Sequence, residues 1–405
     1  MINPKTKQRE LAYIVKIDKI EEIQGSDHCE AAVVGGWRIM TRKGTFQPGD
    51  FAVYFEIDSK VPAKPEFEFL ARKHFKIKTQ KYTFGGKGNF ISQGLLMSFA
   101  DFTDSLGRVP CWLANFNMAT NPLSKDSWED HRWLTKELGV TYSVEADNKR
   151  KHTQHSKKYK DLDKFALFRW MKKHKTGRKI LEKLFDKKIS SWPHWVKKTD
   201  SERVQNIPFI LENKEPWIAT EKIDGTSTTF TVKKGLFGYK YYVCSRNVCF
   251  DTKEKAENCF YDTNVYIQMS EKYNVKNALL DIAKRGKYKT VALQGETFGP
   301  TIQKRDYSQK EVDFRAFDLI IDEKKMDILC AKLLMKEYKI PWVPILDTAY
   351  ILPDTVDEIL EYVKGASAID GLEREGIVFR QGDDEVSTSL NFKGVSNDFL
   401  LKYHN

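Results

Sequence analysis

The sequence predicts an α+β protein with a β-rich N-terminal module, a basic helical segment, and a larger domain that mixes strands and helices. Three observations support this division. Strand-like runs crowd the first hundred residues, lysines concentrate in the middle of the chain, and strand-like and helical runs alternate towards the C-terminus. We therefore expect three regions, residues 1–145, 146–190 and 191–405, in a chain long enough for two or three domains.

Short runs rich in β-branched and aromatic residues make up the N-terminal region. They lie at Leu11–Ile20, Glu30–Gly35, Gly36–Lys43, Asp50–Ile57 and Gln93–Phe99. Closely spaced short strands separated by glycine- or proline-containing turns are typical of a small barrel. We expect a five-stranded OB-fold, with another small β-barrel as the alternative. The following run Lys125–Leu138 is expected to form a helix that Gly139 ends.

The middle region is strongly basic. Residues 149–188 hold 16 Lys and Arg against four acids, a net charge of +12 within a chain of net charge +11. A charge this concentrated indicates a polyanion partner, and the alternative is a solvated linker. Leu162, Phe165 and Trp170 recur at helical spacing, so we expect one or two short basic helices here.

The C-terminal region alternates between the two kinds of element. Strands are expected at Ser227–Lys234, Tyr239–Arg246, Thr290–Thr297, Arg315–Ile321 and Gly376–Gln381, and helices at Cys259–Tyr273, Val275–Lys284, Met326–Glu337 and Thr355–Gly365. This pattern predicts antiparallel sheets with flanking helices.

Composition excludes several classes of protein. No run of 18 apolar residues occurs, so no membrane span is predicted, and the first residues lack the apolar stretch of a signal peptide. The six cysteines form no C-x-x-C pair, which indicates reduced thiols rather than zinc ligands. We expect a monomer that works in the cytoplasm, or in the host cytoplasm if the protein is viral.

The first chemical signal is the run Glu221–Gly225, which contains the pattern K-x-D-G. A lysine that attacks the α-phosphate of ATP forms a phosphoramidate, and it must be neutral to do so. A bound metal ion lowers the pKa of such a lysine, whereas a carboxylate alone raises it. Asp224 would therefore assist Lys222 by holding the metal. Alone, the run would favour a surface turn at Asp224-Gly225.

Further short segments follow in a fixed order. They are Ser245–Asn247, Leu293–Gly299, Phe314–Asp318, Glu373–Phe379 and Asn391–Lys393. Each segment alone has a simple structural explanation, such as a strand-end acid, a core aromatic residue or a surface lysine. Their combination in this order points to one nucleotide-transfer site.

The ordered segments resemble the motifs of the covalent nucleotidyltransferase superfamily, which contains DNA ligases, RNA ligases and mRNA capping enzymes. The matching stretches are EKIDG, SRN, QGETFG, FRAFD, EGIV and NFK. The stretch QGETFGPTIQ is more similar to RNA ligases than to DNA ligases. Residues 195–206 and the N-terminal runs GSDHCEAAVVGGW and GTFQPGDFAVYFEID resemble the RNA ligase 5 family, which carries its OB domain in front of an ATP-grasp-like adenylyltransferase domain.

The resemblance implies a set of catalytic residues. Lys222 would be the nucleophile, and Asp224, Glu296 and Glu375 would hold the waters of an octahedral Mg²⁺, or Mn²⁺, that touches the α-phosphate. Outer-shell carboxylates suit Mg²⁺ because this ion keeps its water readily. Lys393 and the metal would neutralise charge that develops on the phosphate.

The resemblance also implies nucleotide-binding residues. Arg246 would contact the ribose, Phe317 and Val378 would sandwich the adenine, Glu221 would contribute to ATP binding, and Arg203 would reach the phosphates.

The sequence departs from the pattern in one place. Val395 stands where some RNA ligases carry a second lysine, and Lys402 is too far along the chain to replace it.

The implied activity is an ATP-dependent RNA ligase that joins 3′-OH and 5′-phosphate ends, such as those of a nicked duplex, in RNA repair. A capping enzyme or DNA ligase is the first alternative, but these usually place an OB domain after the transferase, and only about ten residues follow Lys393. A non-catalytic nucleic-acid-binding protein is the second alternative. It would be favoured if a motif lysine or carboxylate were missing, and none is.

Overall fold

A computed structural model describes most of the chain. It covers residues 1–142 except 87, 105 and 120–127, residues 192–198, and residues 201–403 except 252, 258, 262 and 382–389. The predicted basic helices between 149 and 188 lie outside the described residues.

The N-terminal module is built from short antiparallel strands. Its strands are β1 (Ala12–Lys16), β2 (Lys19–Glu22), β3 (Cys29–Val34), β4 (Trp37–Arg42), β5 (Phe51–Phe55), β6 (Ser59–Lys60), β7 (Gln80–Thr83), β8 (Asn89–Ser92), β9 (Leu95–Met97) and β10 (Thr141–Tyr142). The expected single strand Leu11–Ile20 is in fact two strands. Ile17 still bonds to the turn before β5, whereas the Asp18 N–H donates to Val33 of β3, so the chain changes partners at this corner of the barrel.

Helices close the N-terminal module. They are the 3-10 helices Pro65–Lys73 and Phe99–Phe102 and the α-helices α1 (Cys111–Ala119) and α2 (Trp128–His131). The expected helix Lys125–Leu138 is wrong over most of its described length, because only α2 is helical. The Ile14 N–H donates to the Arg132 carbonyl and the Leu134 N–H to that of Ala12, so this stretch pairs with β1 instead.

The C-terminal domain contains two five-stranded sheets. Its strands are β11 (Glu202–Arg203), β12 (Trp217–Lys222), β13 (Thr226–Gly235), β14 (Gly238–Ser245), β15 (Thr290–Phe298), β16 (Asp313–Ile321), β17 (Lys324–Lys325), β18 (Ile345–Tyr350), β19 (Gly376–Arg380) and β20 (Asn391–Val395). The first sheet has the order β11-β20-β19-β12-β18 and the second the order β14-β13-β15-β16-β17. All pairs are antiparallel except β11 with β20.

Each sheet packs against its own set of helices. The helices are the 3-10 helices Val204–Asn206 and Pro208–Glu212 and the α-helices α3 (Lys253–Glu257), α4 (Val265–Lys272), α5 (Val275–Arg285), α6 (Ile328–Glu337), α7 (Val356–Tyr362) and α8 (Asn397–Tyr403). The second sheet packs its core against α4, α5 and α6, and the first sheet packs against α7 and the two 3-10 helices. The expected strands and helices of this domain are present, although the helix expected at Cys259–Tyr273 covers only Val265–Lys272. The structure also contains elements that were not expected: β11, β12, β17, β18, β20, α3 and α8.

The two domains share an interface on the side of the first sheet. Ile91 of β8 packs with Val395 and Leu400, and the Ile2 N–H donates to the Asn206 carbonyl at 2.7 Å. Arg9 bridges the domains by pairing with Glu202 at 3.2 Å. The N-terminal module is thereby held beside β11 and β20.

Candidate active site

Lys222 lies where the two sheets of the C-terminal domain meet. It is the last residue of β12, opposite Gly376 of β19. The next residue, Ile223, is buried in the core of the second sheet, and Thr226 begins β13 in that sheet. The chain therefore crosses from one sheet to the other within a few residues, and Lys222 is at the crossing.

Gly225 is required by close packing at this crossing. A Cβ atom at this position would lie 2.3 Å from the carbonyl oxygen of Thr297 and 3.0 Å from Cγ of Glu296. No side chain fits at such a distance, so only glycine lets the turn lie against the end of β15. The glycine of the K-x-D-G pattern thus brings Lys222 and Asp224 close to Glu296.

Glu375 is the direct partner of Lys222. The Lys222 ammonium donates to Oε2 of Glu375 at 2.6 Å. Glu375 immediately precedes β19, and its carbonyl accepts a 2.8 Å hydrogen bond from Ser396 at the end of β20. Residues far apart in sequence are therefore joined through neighbouring strands.

Burial and the neighbouring charges shift the pKa values of this group. Burial and the nearby charge of Glu375 raise the pKa of Asp224 to about 6. Burial raises the pKa of Glu296 to about 8, with Glu375 and Asp224 adding to the rise. Burial alone would lower the pKa of Lys222, but the three carboxylates outweigh it and hold that pKa above its usual value.

This arrangement fits a metal held through water better than one held directly. Within the described residues, no group of three or more His, Cys, Asp or Glu side chains is placed to ligate one ion. The three carboxylates nevertheless surround a single lysine, and burial, together with their mutual repulsion, raises the pKa values of Asp224 and Glu296. A hydrated divalent cation would supply the missing positive charge.

Lys393 and Arg203 lie side by side on the first sheet. Lys393 of β20 is opposite Val378 of β19 and pairs with Arg203 of β11 on its other side. The Arg203 guanidinium lies 5.6 Å from the centre of the Trp37 ring in the N-terminal module. Its Nη1 atom is buried without a hydrogen-bond partner in the described part of the chain, and burial lowers the pKa of Arg203.

Phe317 and Val378 line the space between the sheets. Val378 and Arg380 are two residues apart on β19, so their side chains project from the same face. The Arg380 guanidinium lies 5.1 Å from the centre of the Phe317 ring and donates to Asp318 at 2.6 Å. Phe317 and Val378 therefore border the same inter-sheet space.

Arg246 and Glu221 occupy different surroundings. Arg246 is exposed in the turn after β14, and its charge acts on Glu296. The Glu221 carboxylate is buried and accepts hydrogen bonds from the Ser367 hydroxyl and, at 2.8 Å, from the Ala368 N–H. Glu221 therefore anchors residues 367–368 in this structure, and its predicted role in nucleotide binding remains a prediction.

A supporting group beside the site was not predicted from the sequence. The Asp224 N–H donates to the Tyr307 hydroxyl at 2.6 Å. The Arg305 guanidinium lies 4.2 Å from the Tyr307 ring centre and forms a buried ion pair with Asp370 at 2.6 Å. The only sequence feature that could have pointed to this group was the charged run Lys304–Asp306, directly after QGETFGPTIQ.

Comparisons with known proteins match two parts of the chain to protein families. The RNA ligase family model matches residues 215–404, and an OB-fold domain model matches residues 11–98. No curated protein sequence matches the chain. None of the helices in the described ranges combines the length and apolar character needed to cross a membrane.

Solved structures of a Naegleria gruberi RNA ligase are similar over almost the whole chain. A lysine-to-alanine variant with ATP and Mn is 25% identical, with a TM-score of 0.61 and coverage of 97% of this chain and 99% of that chain. The same ligase with PPi is 25% identical, with a TM-score of 0.60 and coverage of 98% and 99%. A lysine-to-methionine variant with AMP and Mn is 25% identical, with a TM-score of 0.61 and coverage of 98% and 99%.

These findings confirm the predicted α+β fold with its leading OB module. They also confirm the predicted enzyme class. With an OB-fold domain in front of an RNA ligase domain, the chain is an RNA ligase.

Proposed function

We propose that this ligase uses ATP to join RNA 3′-OH and 5′-phosphate ends through AMP carried on Lys222. The observation that carries the proposal is the position of Lys222, at the junction of two sheets and 2.6 Å from Glu375. The neutral amine attacks the α-phosphate of ATP, a phosphorus–nitrogen bond forms, and pyrophosphate leaves. AMP then passes to the 5′-phosphate of the RNA, and the 3′-OH displaces it.

The residues around Lys222 prepare this chemistry. As long as the Glu375 carboxylate keeps the Lys222 ammonium protonated, Lys222 is a poor nucleophile. Asp224, Glu296 and Glu375 would hold a hydrated Mg²⁺ or Mn²⁺, which supplies positive charge that favours the neutral amine and the transferring phosphate. Lys393 and Arg203, neighbours on β20 and β11, stabilise the phosphates.

The nucleoside is assigned to the space between the sheets. Phe317 and Val378 enclose the adenine, Arg246 contacts the ribose, and Glu221 supports the pocket through residues 367–368. The Naegleria gruberi ligase structures with ATP and Mn, and with AMP and Mn, support the assignment of ATP and a divalent ion as cofactors.

The RNA substrate is assigned to the N-terminal side of the molecule. Residues 1–145 form the OB domain, 146–190 a basic insert, and 191–405 the nucleotidyltransferase domain. The OB barrel and the basic insert grip the RNA backbone so that a nick, as in RNA repair, faces Lys222. The enzyme acts as a cytoplasmic monomer. The RNA ligase family match weighs against mRNA capping and DNA ligation.

The test is a two-stage assay with the full chain. In the first stage, α-labelled ATP should label the protein while α-labelled GTP labels it poorly. In the second, nicked duplexes carry RNA or DNA on either side of the break. They should be sealed only when RNA supplies the end that the enzyme requires, the 3′-OH or the 5′-phosphate. Sealing without a covalent protein–AMP intermediate would contradict the proposal.

A further inference from the structure

The tip of the β13–β14 hairpin is unusual because its two turn residues are apolar. Gly235 is opposite Gly238, so Leu236 and Phe237 form the turn itself. Leu236 is 97% exposed and Phe237 is fully exposed. Turns are normally made of polar residues or glycine, and nothing in the folding of this hairpin requires a leucine and a phenylalanine.

The strands below the tip carry lysines that oppose each other. Lys233 of β13 is directly opposite Lys240 of β14, and Lys234 follows Lys233. Like charges at facing strand positions destabilise a sheet. Neither Lys234 nor Lys240 forms an ion pair with an acid in the part of the chain that the structure describes. The hairpin therefore has a positive charge that its own fold does not neutralise.

Lys233 and Lys240 share the sheet face on which no helix packs among the described residues, whereas Lys234, which pairs with Tyr239, points to the helical face. Tyr239 and Tyr241 point to the helical face, where their hydroxyls bond to Ala283 and Ser270. Because side chains alternate along a strand, Lys240 points to the opposite face. On that face the Lys233 ammonium lies 4.2 Å from the centre of the Trp195 ring, which itself contacts Tyr242.

The same face leads towards the active site. Lys198 donates to the Asn247 side chain at 2.7 Å, and Asn247 is adjacent to Arg246. From Ser227, which pairs with Glu296, eight residues of β13 lead to Gly235, a distance of about 26 Å. Basic and aromatic side chains thus line a continuous path from the active-site end of the second sheet to the hairpin tip.

We propose that this face is an additional RNA-docking surface, which binds an unpaired stretch of the substrate strand beyond the ends being joined. Lys233 and Lys240 bind its phosphates, and Phe237 stacks on a base. Lysines that follow a backbone beside exposed aromatic rings are the usual construction of a sequence-tolerant single-strand site. The inference rests on the proposed assignment of the reactive ends to Lys222.

The test compares two nicked RNA duplexes, one with short blunt arms and one with an unpaired extension long enough to reach the hairpin. The full-length variants are Phe237→Ala and the double variant Lys233→Gln/Lys240→Gln. Matched controls lie on α6, on the helical face of the same sheet. They are Leu333→Ala, at a side chain that is 64% exposed, and Lys332→Gln/Lys336→Gln.

Phe237→Ala should weaken binding of the extended RNA about 5-fold or more, because stacking on one aromatic ring contributes at least that much. The double lysine variant should lower the slope of log Kd against log salt concentration by about 1 to 2. Adenylylation, binding of the short duplex and both controls should be unchanged.

Wild-type affinity for the extended RNA in both hairpin variants would overturn the proposal. So would a loss of binding to phosphatidylserine vesicles with RNA binding intact, since the tip would then serve a membrane. If the wild-type protein binds the extended RNA through the hairpin but takes no label from ATP, only the role of Lys222 is refuted. This outcome separates the RNA-docking proposal from the proposed AMP transfer.

Discussion

The two ends of the β13–β15 ladder carry opposite charge. Near Gly225, Asp224, Glu296 and Glu375 surround a single lysine. At the far end, about 26 Å away, Lys233 faces Lys240 with Lys234 beside them. Neither arrangement stabilises the fold by itself. These opposite charges support the proposals that a cation and a nucleotide complete the acidic end and that RNA binds the basic end.

The role of the acidic end can be tested most directly at Lys222. If the acidic end exists to present one nucleophile, Lys222→Ala should abolish transfer of label from α-labelled ATP, because Lys222 is the amine that Asp224, Glu296 and Glu375 surround. Denaturing electrophoresis measures the label, with Lys336→Ala on α6 as the matched control. Persistent labelling of the Lys222 variant would show that the nucleophile lies elsewhere.

Removing a carboxylate from the acidic end should have the next largest effect. Glu296→Ala and Glu375→Ala should each slow adenylylation by about two orders of magnitude or more, because the metal that these side chains would hold could no longer stabilise the transferring phosphate. Single-turnover labelling measures the rates. Glu337→Ala, at an exposed position of α6, should behave as wild type, and near-normal rates in both active-site variants would contradict the carboxylate assignment.

The raised pKa of Glu296 should make the stability of chelator-treated protein depend on pH. Folding raises the pKa of Glu296 from 4.5 to about 8, so the folded state holds a proton that the unfolded state releases. The free energy of unfolding should therefore fall as pH rises from about 4.5 to about 8. Glu296→Gln should flatten this fall, by about 1 kcal/mol or more at the upper end.

Thermal unfolding across this pH range measures the effect. Glu337→Gln should keep the wild-type slope. Identical slopes for wild type and Glu296→Gln would mean that the carboxylates are already balanced without a metal.

The smallest expected effect concerns the basic residues between 149 and 188. Replacing four of these lysines by glutamine should weaken RNA binding and reduce its salt dependence, by a slope of about 0.7 to 0.9 for each phosphate that is no longer neutralised. Filter binding at several salt concentrations measures the slope. If the segment is only a solvated linker, affinity will fall little and the slope will not change.

The order of the motif segments along the chain was informative because the strands that carry them are adjacent in space. Lys222 ends β12, Glu375 precedes β19 and Lys393 lies in β20, and these three strands are neighbours. β12 itself was not expected as a strand, since its run WIATEK mixes apolar and polar residues without clear alternation. The chemistry of the K-x-D-G pattern identified Lys222, whereas the pairing of β12 with β19 explains where Lys222 lies.

Other features depended on tertiary contacts that no local pattern contains. The apolar residues Leu134 and Leu138 recur at helical spacing, yet both are buried in the OB-domain core while the backbone at Leu134 pairs with β1. Glu221 was assigned to the nucleotide because of its position beside Lys222. Its carboxylate bonds to residues 367–368, a contact across 146 positions that sequence spacing could not predict.

The crossing of the chain between the two sheets has a mechanical consequence. Lys222 and Glu375 belong to one sheet, whereas Glu296 belongs to the other. A nucleotide between Val378 and Phe317 would contact both sheets, and its covalent bond to Lys222 would add a second connection to the first sheet. The adenylylated enzyme should accordingly be stiffer than the free enzyme. Hydrogen exchange in Ile223–Gly225 should then slow on AMP transfer and recover when the RNA takes the AMP.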